Sequence, residues 1–184
     1  MYHRFGENKY PSTNIREEQL VSHLEYLKAQ EFNFILARDL LFEDKLQKKT
    51  ISITVDDAYL SFFEVGLPIF EKYEIPVTLF LNTENVGGQN YMNWTQLKSV
   101  LSRGVDIQNH THSHSSLSSL SEIEIVNEIE KSQDLIFENL GITPNLFAYP
   151  FGENSTIAQK VVSQYFDAAF GCLLYTSPSP RDDL

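Results

Sequence analysis

The sequence predicts an α/β fold built on a parallel sheet, and three features support this. Strand-like and helix-like segments alternate along most of the 184 residues, as in folds made of repeated β–α units. Residues 75–81 form a nearly continuous apolar run, the pattern of a strand covered on both faces of a parallel sheet. Chemically suggestive clusters at residues 56–57, 110–114 and 149–152 each directly follow a predicted strand. In β/α barrels that end of the strands carries the active site.

The amino-terminal part is predicted to contain two short strands around one surface helix. Residues 2–5 resemble the end of a strand, and a turn-rich loop follows at residues 6–14. Residues 15–30 carry leucines at helical spacing between charged residues, which predicts an amphipathic helix with Ser12 or Thr13 as its cap. The next elements are a strand at residues 32–37, a short helix or turn at 37–46 and a loop at 45–49.

The central part begins with a buried strand at residues 51–55, which leads to two adjacent aspartates. Residues 58–73 place aromatic and aliphatic side chains for contact with a sheet and are predicted as one helix, with Pro68 as a local irregularity. The strand at residues 75–81 then leads into a glycine-containing loop at 82–91.

The carboxyl-terminal half repeats this alternation. A short helix is predicted at residues 94–101 with Asn93 as its cap, and a long one at 117–140 that ends at Gly141. The remaining elements are strands at residues 105–108, 146–149 and 166–171 and a helix at 155–165.

Composition indicates one globular domain and argues against a nucleic-acid partner and against a membrane-spanning segment. Hydrophobic residues make up 42% of a chain that is long enough to bury a core. The formal charge is −11, whereas a nucleic-acid binder needs a basic face. No apolar run approaches the roughly 20 residues of a membrane span. The single cysteine, Cys172, provides neither a disulfide nor a thiolate metal cluster.

Asp56 and Asp57 at the tip of an apolar strand suggest a metal site. Like charges this close raise each other's pKa, and a metal ion can take one carboxylate as ligand and leave the other as a base. His110 and His114 follow another strand at ligand spacing. One carboxylate and two imidazoles fit a catalytic metal with open positions. The alternative is a helix cap with a solvated neighbour.

Three motifs together resemble the polysaccharide deacetylases with the NodB-homology domain, carbohydrate esterase family four. Thr54-Val55-Asp56-Asp57 is similar to the family's T-F-D-D, and the segment 110–114 is similar to its H-[ST]-x-x-H. Residues 147–152 resemble the third motif in its F-A-Y-P-[YF]-G form. The resemblance covers residues 51–171. It implies a partial, distorted (β/α)-barrel with parallel strands.

The resemblance also implies roles for individual residues. Asp57, His110 and His114 would bind a divalent metal, usually Zn²⁺, and Asp56 would be the general base. The backbone N–H of Phe151 would donate to the oxyanion formed when water attacks the acetyl group of an N-acetylated polysaccharide.

The third motif is further expected to bind substrate through Tyr149, Pro150 and Gly152, with plain packing as the alternative for the aromatic residues. Ala148 stands where many members have an arginine that braces the catalytic aspartate, so Asp56 is expected to be oriented by another group.

The family's fourth and fifth motifs are expected beyond Gly171, and the fifth supplies a histidine acid. His3, His23 and His112 do not match that motif. His3 is placed at the rim of the aspartate pair, with packing or a local hydrogen bond as its expected role and a substrate contact as the alternative. His23 is expected to be exposed and His112 to point away. The chain is therefore predicted to hold a metal and a base but no acid, and to be weakly active or inactive.

The ends of the chain differ from its centre. We expect a lead-in region at residues 1–50, the deacetylase-like domain at 51–171 and a non-native tail at 172–184. The tail resembles a translation of the transposase adapter DNA used in sequencing libraries; a genuine polar tail is the alternative. The parent protein is expected to be secreted, periplasmic or associated with the cell envelope.

Three functions follow from these residues. The first is a metal-dependent hydrolase that removes N-acetyl groups from an amino-sugar polysaccharide. The alternatives are a non-catalytic carbohydrate-binding relative and an O-acetyl esterase of the xylan type. The residues indicate neither the polysaccharide nor the oligomeric state.

Overall fold

A computed structural model describes residues 1–41 and 48–171, and its centre is a curled half-barrel. Six strands lie in the order in which they occur along the chain, and every neighbouring pair is parallel. The partial parallel barrel predicted from the sequence is therefore confirmed. The strands are β3 (Asn33–Ile35), β4 (Thr50–Asp56), β5 (Val77–Leu81), β6 (Asp106–Asn109), β7 (Leu146–Ala148) and β8 (Ala168–Phe170).

The amino terminus joins this sheet at one point beside β4. The Tyr2 N–H donates to the Thr54 carbonyl (2.8 Å), and the Asp56 N–H donates to the Tyr2 carbonyl (2.9 Å). This pairing places residue 3 next to the carboxyl end of β4. The two remaining strands form a small parallel pair, β1 (Arg4–Phe5) and β2 (Asn14–Ile15).

Within the described residues, five α-helices pack around the sheet and bury two main apolar clusters. The larger cluster contains Leu20 and Leu24 of the first helix together with side chains of β4, β5 and β6. The smaller one joins the last two helices to Phe147 of β7. In the part of the chain described, no helix is long and apolar enough to span a membrane. The helices are α1 (Glu17–Ala29), α2 (Leu67–Lys72), α3 (Trp94–Ser102), α4 (Glu122–Leu140) and α5 (Thr156–Tyr165).

Several predicted helix boundaries are confirmed and one is wrong. The Asn93 side chain accepts from the Gln96 N–H and caps α3. Gly141 ends α4 in the left-handed conformation, with φ 70°. The cap expected at Ser12 or Thr13 is wrong, because α1 begins after Arg16.

Two helices predicted as continuous are interrupted. The segment 58–73 contains a π-helical turn, Phe62–Gly66, before α2 begins. Pro68 lies in the first turn of α2, where its missing N–H has no intrahelical partner to lose. The long helix predicted at 117–140 is a 3₁₀ turn, Leu117–Ser119, followed by α4.

Ser121 explains the second interruption, because its side chain accepts from the Glu124 N–H and starts a new helix there.

The short helix predicted at 37–46 is a 3₁₀ turn over Ala37–Leu41. The rest of that segment, part of the 45–49 loop and the tail at 172–184 with Cys172 lie outside the described residues. The division of the chain at residues 50 and 171 stays a prediction.

Candidate active site

A cavity of about 750 Å³ opens at the carboxyl ends of the strands. The cavity gathers residues from segments far apart in the sequence, because parallel strands present their carboxyl ends at one edge. Pro150 is buried and does not line this cavity as the structure describes it. The other seven predicted site residues all line it: Asp56, Asp57, His110, His114, Tyr149, Phe151 and Gly152.

Three of these residues form a compact group of potential metal ligands. One ligand atom each from Asp57, His110 and His114 lies within 4.8 Å of the others. Asp57 Oδ1 is 3.2 Å from His114 Nε2 and 3.7 Å from His110 Nε2. Asp57 (φ 73°) and His114 (φ 59°) both have positive φ angles. Such backbone strain is often found at functional sites, where it aims a side chain.

The state of His110 suits a metal ligand. Its Nδ1 lies 2.7 Å from the Ala148 carbonyl, which can only accept, so Nδ1 carries the proton. The lone pair therefore resides on Nε2, the atom that faces Asp57. Burial lowers the pKa of His110 to about 4, which keeps the ring neutral at ordinary pH. A neutral imidazole and a carboxylate are ordinary ligands of divalent metals, so this group fits such an ion.

Asp57 is held in place by two asparagines that the sequence analysis did not single out. Asn82 Nδ2 donates to Asp57 Oδ1 (3.0 Å), and Asn85 Nδ2 donates to Asn82 Oδ1 (2.9 Å). Both asparagines follow β5, the strand between β4 and β6, which are followed by the three potential ligands. The one signal available in the sequence was their position directly after a strand, the same signal that identified the other clusters.

Asp56 has an environment that suits a base. Burial and, to a smaller extent, the neighbouring Asp57 carboxylate raise the pKa of Asp56 to about 7. The expected like-charge effect is therefore present, but loss of solvent is the larger cause. A carboxylate with this pKa binds a proton far more strongly than an exposed aspartate does.

His3 also lies in the cavity, and its Nε2 is 3.9 Å from Asp56 Oδ2. The sequence analysis gave it a packing role and found no histidine for the acid position. The structure places its imidazole at the rim of the aspartate pair, as expected, through the pairing of Tyr2 with Val55. Burial lowers the pKa of His3.

The loop with His110 and His114, the two potential ligand histidines, is fixed by Glu128 of α4. This carboxylate accepts from the backbone N–H groups of His112 (3.0 Å) and Ser113 (2.7 Å) and from the Ser113 hydroxyl (2.8 Å). The His112 ring points to Thr83, with Nδ1 and Oγ1 2.9 Å apart, and is not part of the ligand group. This agrees with the expectation that His112 points away.

The third motif forms one wall of the cavity. The Phe151 ring is 66% exposed and stands edge-on to the His114 ring, with the centroids 4.8 Å apart. The Phe151 backbone has a φ of 60°, outside the helical range of its neighbours. Tyr149 is buried and packs edge-on against Phe147 (5.1 Å), so it contributes to the core as well as to the cavity.

Fold and site together define a class of protein: an incomplete parallel β/α barrel with a carboxylate–dihistidine group and a second, proton-binding carboxylate at the carboxyl ends of its strands. The sequence model described as polysaccharide deacetylase matches residues 43–166, which is more than half of the chain. The chain belongs to the polysaccharide deacetylase family, and the resemblance drawn from its three motifs is confirmed.

Individual relatives agree with this assignment. A poly-β-1,6-N-acetyl-D-glucosamine N-deacetylase of Staphylococcus aureus (strain MSSA476) is 28% identical over 156 residues, which cover 76% of this chain and 54% of the relative. The chain therefore spans about half the length of the curated relatives it matches.

Two solved structures share the fold. IcaB from Ammonifex degensii aligns with a TM-score of 0.84 at 22% identity, covering 92% of this chain and 81% of that one. The Streptococcus pyogenes deacetylase PplD, in complex with acetate, aligns with a TM-score of 0.81 at 22% identity and covers 90% and 78%.

Proposed function

We propose that the protein is a metal-dependent hydrolase that removes N-acetyl groups from an amino-sugar polysaccharide. The observation that carries the proposal is the placement of Asp56 beside the Asp57–His110–His114 group in one cavity. The name of the Staphylococcus aureus relative suggests poly-β-1,6-N-acetylglucosamine as the substrate.

Asp57, His110 and His114 would hold the ion and leave positions open for water and substrate. Two imidazoles and one carboxylate suit Zn²⁺, although such ligands also accept other divalent ions. The ion would supply a Lewis acid that polarises the acetyl carbonyl and activates water near neutral pH.

Asp56 takes a proton from the attacking water, and the oxygen of that water bonds to the acetyl carbon. The Phe151 N–H donates to the oxygen on which negative charge develops. When the bond between carbon and nitrogen breaks, the amine leaves with a proton and acetate remains. The proton that Asp56 took from water goes to the amine, and His3, whose Nε2 lies 3.9 Å from Asp56 Oδ2, is the candidate that passes it on.

The walls of the cavity would hold the sugar. Tyr149 and Gly152 line it and are proposed to contact the substrate, while the buried Pro150 would shape the loop on which they lie. Weak activity or inactivity of this chain stays a prediction, because the histidine acid of the family's fifth motif is expected beyond Gly171.

Metal content and acetate release together test this proposal. The purified chain is analysed for bound metal beside a His110→Ala/His114→Ala variant, and each is incubated with a β-1,6-linked N-acetylglucosamine oligomer. We expect about one divalent ion per chain that the double variant loses, and slow acetate release that requires the ion. The Asp56→Asn variant should keep the ion and lose the activity, because this change removes the base alone.

Other outcomes identify the alternatives. Release of acetate from acetylated xylan but not from the amide-linked oligomer would indicate the esterase. Binding of the oligomer with a full complement of metal and no release from either substrate would indicate the carbohydrate-binding relative. No metal in the native chain would contradict the ligand assignment, provided that circular dichroism shows the chain to be folded.

A further inference from the structure

One wall of the cavity is formed by the amino-terminal loop and is not used in the proposed chemistry. Four of its residues line the cavity: Arg4, Tyr10, Ser12 and Thr13. We refer to these four residues as the Arg4–Tyr10 wall. They belong to the turn-rich loop and the strand before it, which no motif of the family resemblance includes.

The Arg4 guanidinium is held against two aromatic rings. Its central carbon lies 3.7 Å from the centroid of Tyr59 and 4.1 Å from that of Tyr10. The Tyr59 ring is itself packed against Tyr91, with the centroids 4.7 Å apart. Stacking of this kind fixes the plane of a guanidinium and leaves its N–H groups at the edge.

The N–H groups at the edge of the Arg4 guanidinium can donate hydrogen bonds to a ligand. Arg4 Nε lies 3.7 Å from Glu7 Oε2, and the side chain is largely buried. Within residues 1–41 and 48–171, the two terminal amino groups of Arg4 donate no hydrogen bond to another residue. Hydrogen-bond donors that line a cavity are the groups that orient a bound molecule.

The loop is ordered in a way that keeps Tyr10 accessible. Asn14 accepts from the Glu7 N–H (2.9 Å) and donates to the Glu7 carbonyl (2.6 Å), and the Thr13 N–H donates to the Tyr10 carbonyl (3.0 Å). Tyr10 has a φ of 58°, an uncommon conformation for a residue with a side chain, yet the residue is 57% exposed. These bonds therefore hold a tyrosine at the rim without burying it.

The size and charge of the cavity indicate what would bind there. Ligand cavities of roughly 300–1,000 Å³ take molecules of drug size, so a volume of about 750 Å³ has room for more than one sugar ring. Glu7 offsets the charge of Arg4, and Asp56 and Asp57 line the same cavity. These carboxylates would repel an anionic ligand, whereas a neutral sugar would not be repelled.

We infer that the Arg4–Tyr10 wall is a subsite for a neutral sugar ring next to the one whose acetyl group is removed. The apolar face of that ring would lie on Tyr10, since aromatic side chains offer rigid contact area at low entropic cost. Its hydroxyl or acetamide oxygens would accept from Arg4. This inference rests on the proposed function for the identity of the substrate.

Binding of short sugars tests the subsite separately from catalysis. N-acetylglucosamine and its β-1,6-linked trimer are titrated calorimetrically into the zinc-loaded Asp56→Asn chain, in which the base is absent and the sugar is not consumed. Tyr10→Ala is introduced into this background. The matched control is Tyr26→Ala, because Tyr26 is also exposed (64%) but lies on α1 and does not line the cavity.

We expect Tyr10→Ala to weaken binding of the trimer about five- to tenfold, the loss typical of one aromatic contact. Binding of the monomer and the metal content should not change. Arg4→Gln should act in the same direction, and Arg4→Lys should not rescue it, because lysine keeps the charge without the planar stack. Tyr26→Ala should bind both sugars as the unsubstituted background does.

The subsite is contradicted if Tyr10→Ala binds the trimer as well as Tyr26→Ala does, or if the trimer does not bind at all. Loss of monomer and trimer affinity to the same extent would also overturn it, since the contact would then be to the reacting sugar. Acetate release by the native chain is measured in parallel. Trimer binding that depends on Tyr10 without acetate release would leave the subsite standing and contradict the proposed hydrolase alone.

Discussion

At the scale of single residues, the geometry of the ligand group depends on neighbours that do not touch the metal position. Asn82 donates to Asp57 Oδ1, the same oxygen that faces both histidines. Groups in this position usually orient a ligand, and their removal typically costs roughly 10–100-fold in metal affinity. Asn82 is thus a positioning residue for the proposed metal site.

Asn82→Ala is therefore expected to weaken zinc binding roughly 10–100-fold while the chain stays folded. Competition with a chelating dye measures the affinity, and circular dichroism checks the fold. Asn139→Ala serves as the control, because Asn139 also donates a hydrogen bond but lies on α4, away from the cavity. Equal affinities of the two variants would show that Asn82 does not position Asp57.

A buried carboxyl away from the candidate site gives a prediction about pH. Burial raises the pKa of Asp106, although Gln108 and Arg38 each oppose the shift. An aspartate whose folded pKa exceeds its unfolded value of about 3.9 loses its proton first in the unfolded chain. Rising pH above that value therefore favours unfolding until the folded carboxyl has also ionised.

Asp106→Asn removes this ionisation. We expect the free energy of unfolding of the variant, relative to that of the native chain, to rise between pH 4 and pH 7. Urea denaturation at both values measures it, with Asp134→Asn as an exposed control on α4. A relative stability that falls over the same interval would mean that Arg38 favours the charged carboxyl more than burial opposes it.

At the scale of elements, α4 and the histidine loop form one unit. Glu128 accepts from two backbone N–H groups of the loop. Removing the carboxylate would leave these donors unpaired in a partly buried place, at a cost of roughly 1–3 kcal/mol for each group that finds no water.

Glu128→Ala is expected to lower both the thermal midpoint and the zinc affinity. The helix itself should tolerate the change, because alanine is a good helix former. Glu138→Ala, at an exposed position of the same helix, controls for loss of a surface charge. Calorimetry and zinc titration of both variants measure the effects. A zinc affinity unchanged in Glu128→Ala would show that the loop keeps its shape without this anchor.

Elements were predictable from the sequence where a local pattern determines them. The apolar runs gave the strands of the sheet, and Asn93 and Gly141 marked helix ends because capping is a property of adjacent residues. That Asp56, His110 and His114 would line one cavity was predictable because they lie at or just after the ends of strands. The start of α4 was missed because the apolar pattern continues past Ser121.

What was missed depends on contacts between distant segments. His3 was expected at the rim of the aspartate pair, but the pairing of Tyr2 with Val55, which brings its Nε2 to 3.9 Å from Asp56, carries no periodic signal. The role of Asn82 depends on a side-chain hydrogen bond across two strands. The stack of Arg4 on Tyr10 and Tyr59 is of the same kind, since its three members come from different segments.

At the scale of the whole molecule, the proposed metal site would join strands that are not neighbours. Asp57 follows β4 and the histidines follow β6, with β5 between them. The unfolded chain does not hold these three side chains together, so an ion bound by them stabilises the folded state. At a zinc concentration 100 times Kd this amounts to about 2.7 kcal/mol.

For a domain of this size, such stabilisation corresponds to a rise of about 5–10 °C in Tm, which differential scanning calorimetry measures with and without zinc. Asp56→Asn should show the same rise, because Asp56 is not in the ligand group, whereas His110→Ala/His114→Ala should show none. An equal rise in the double variant would place the ion at another histidine, of which the exposed His23 is one. The ion would then stabilise the fold from outside the cavity, and the proposal that Asp57, His110 and His114 bind it would be contradicted.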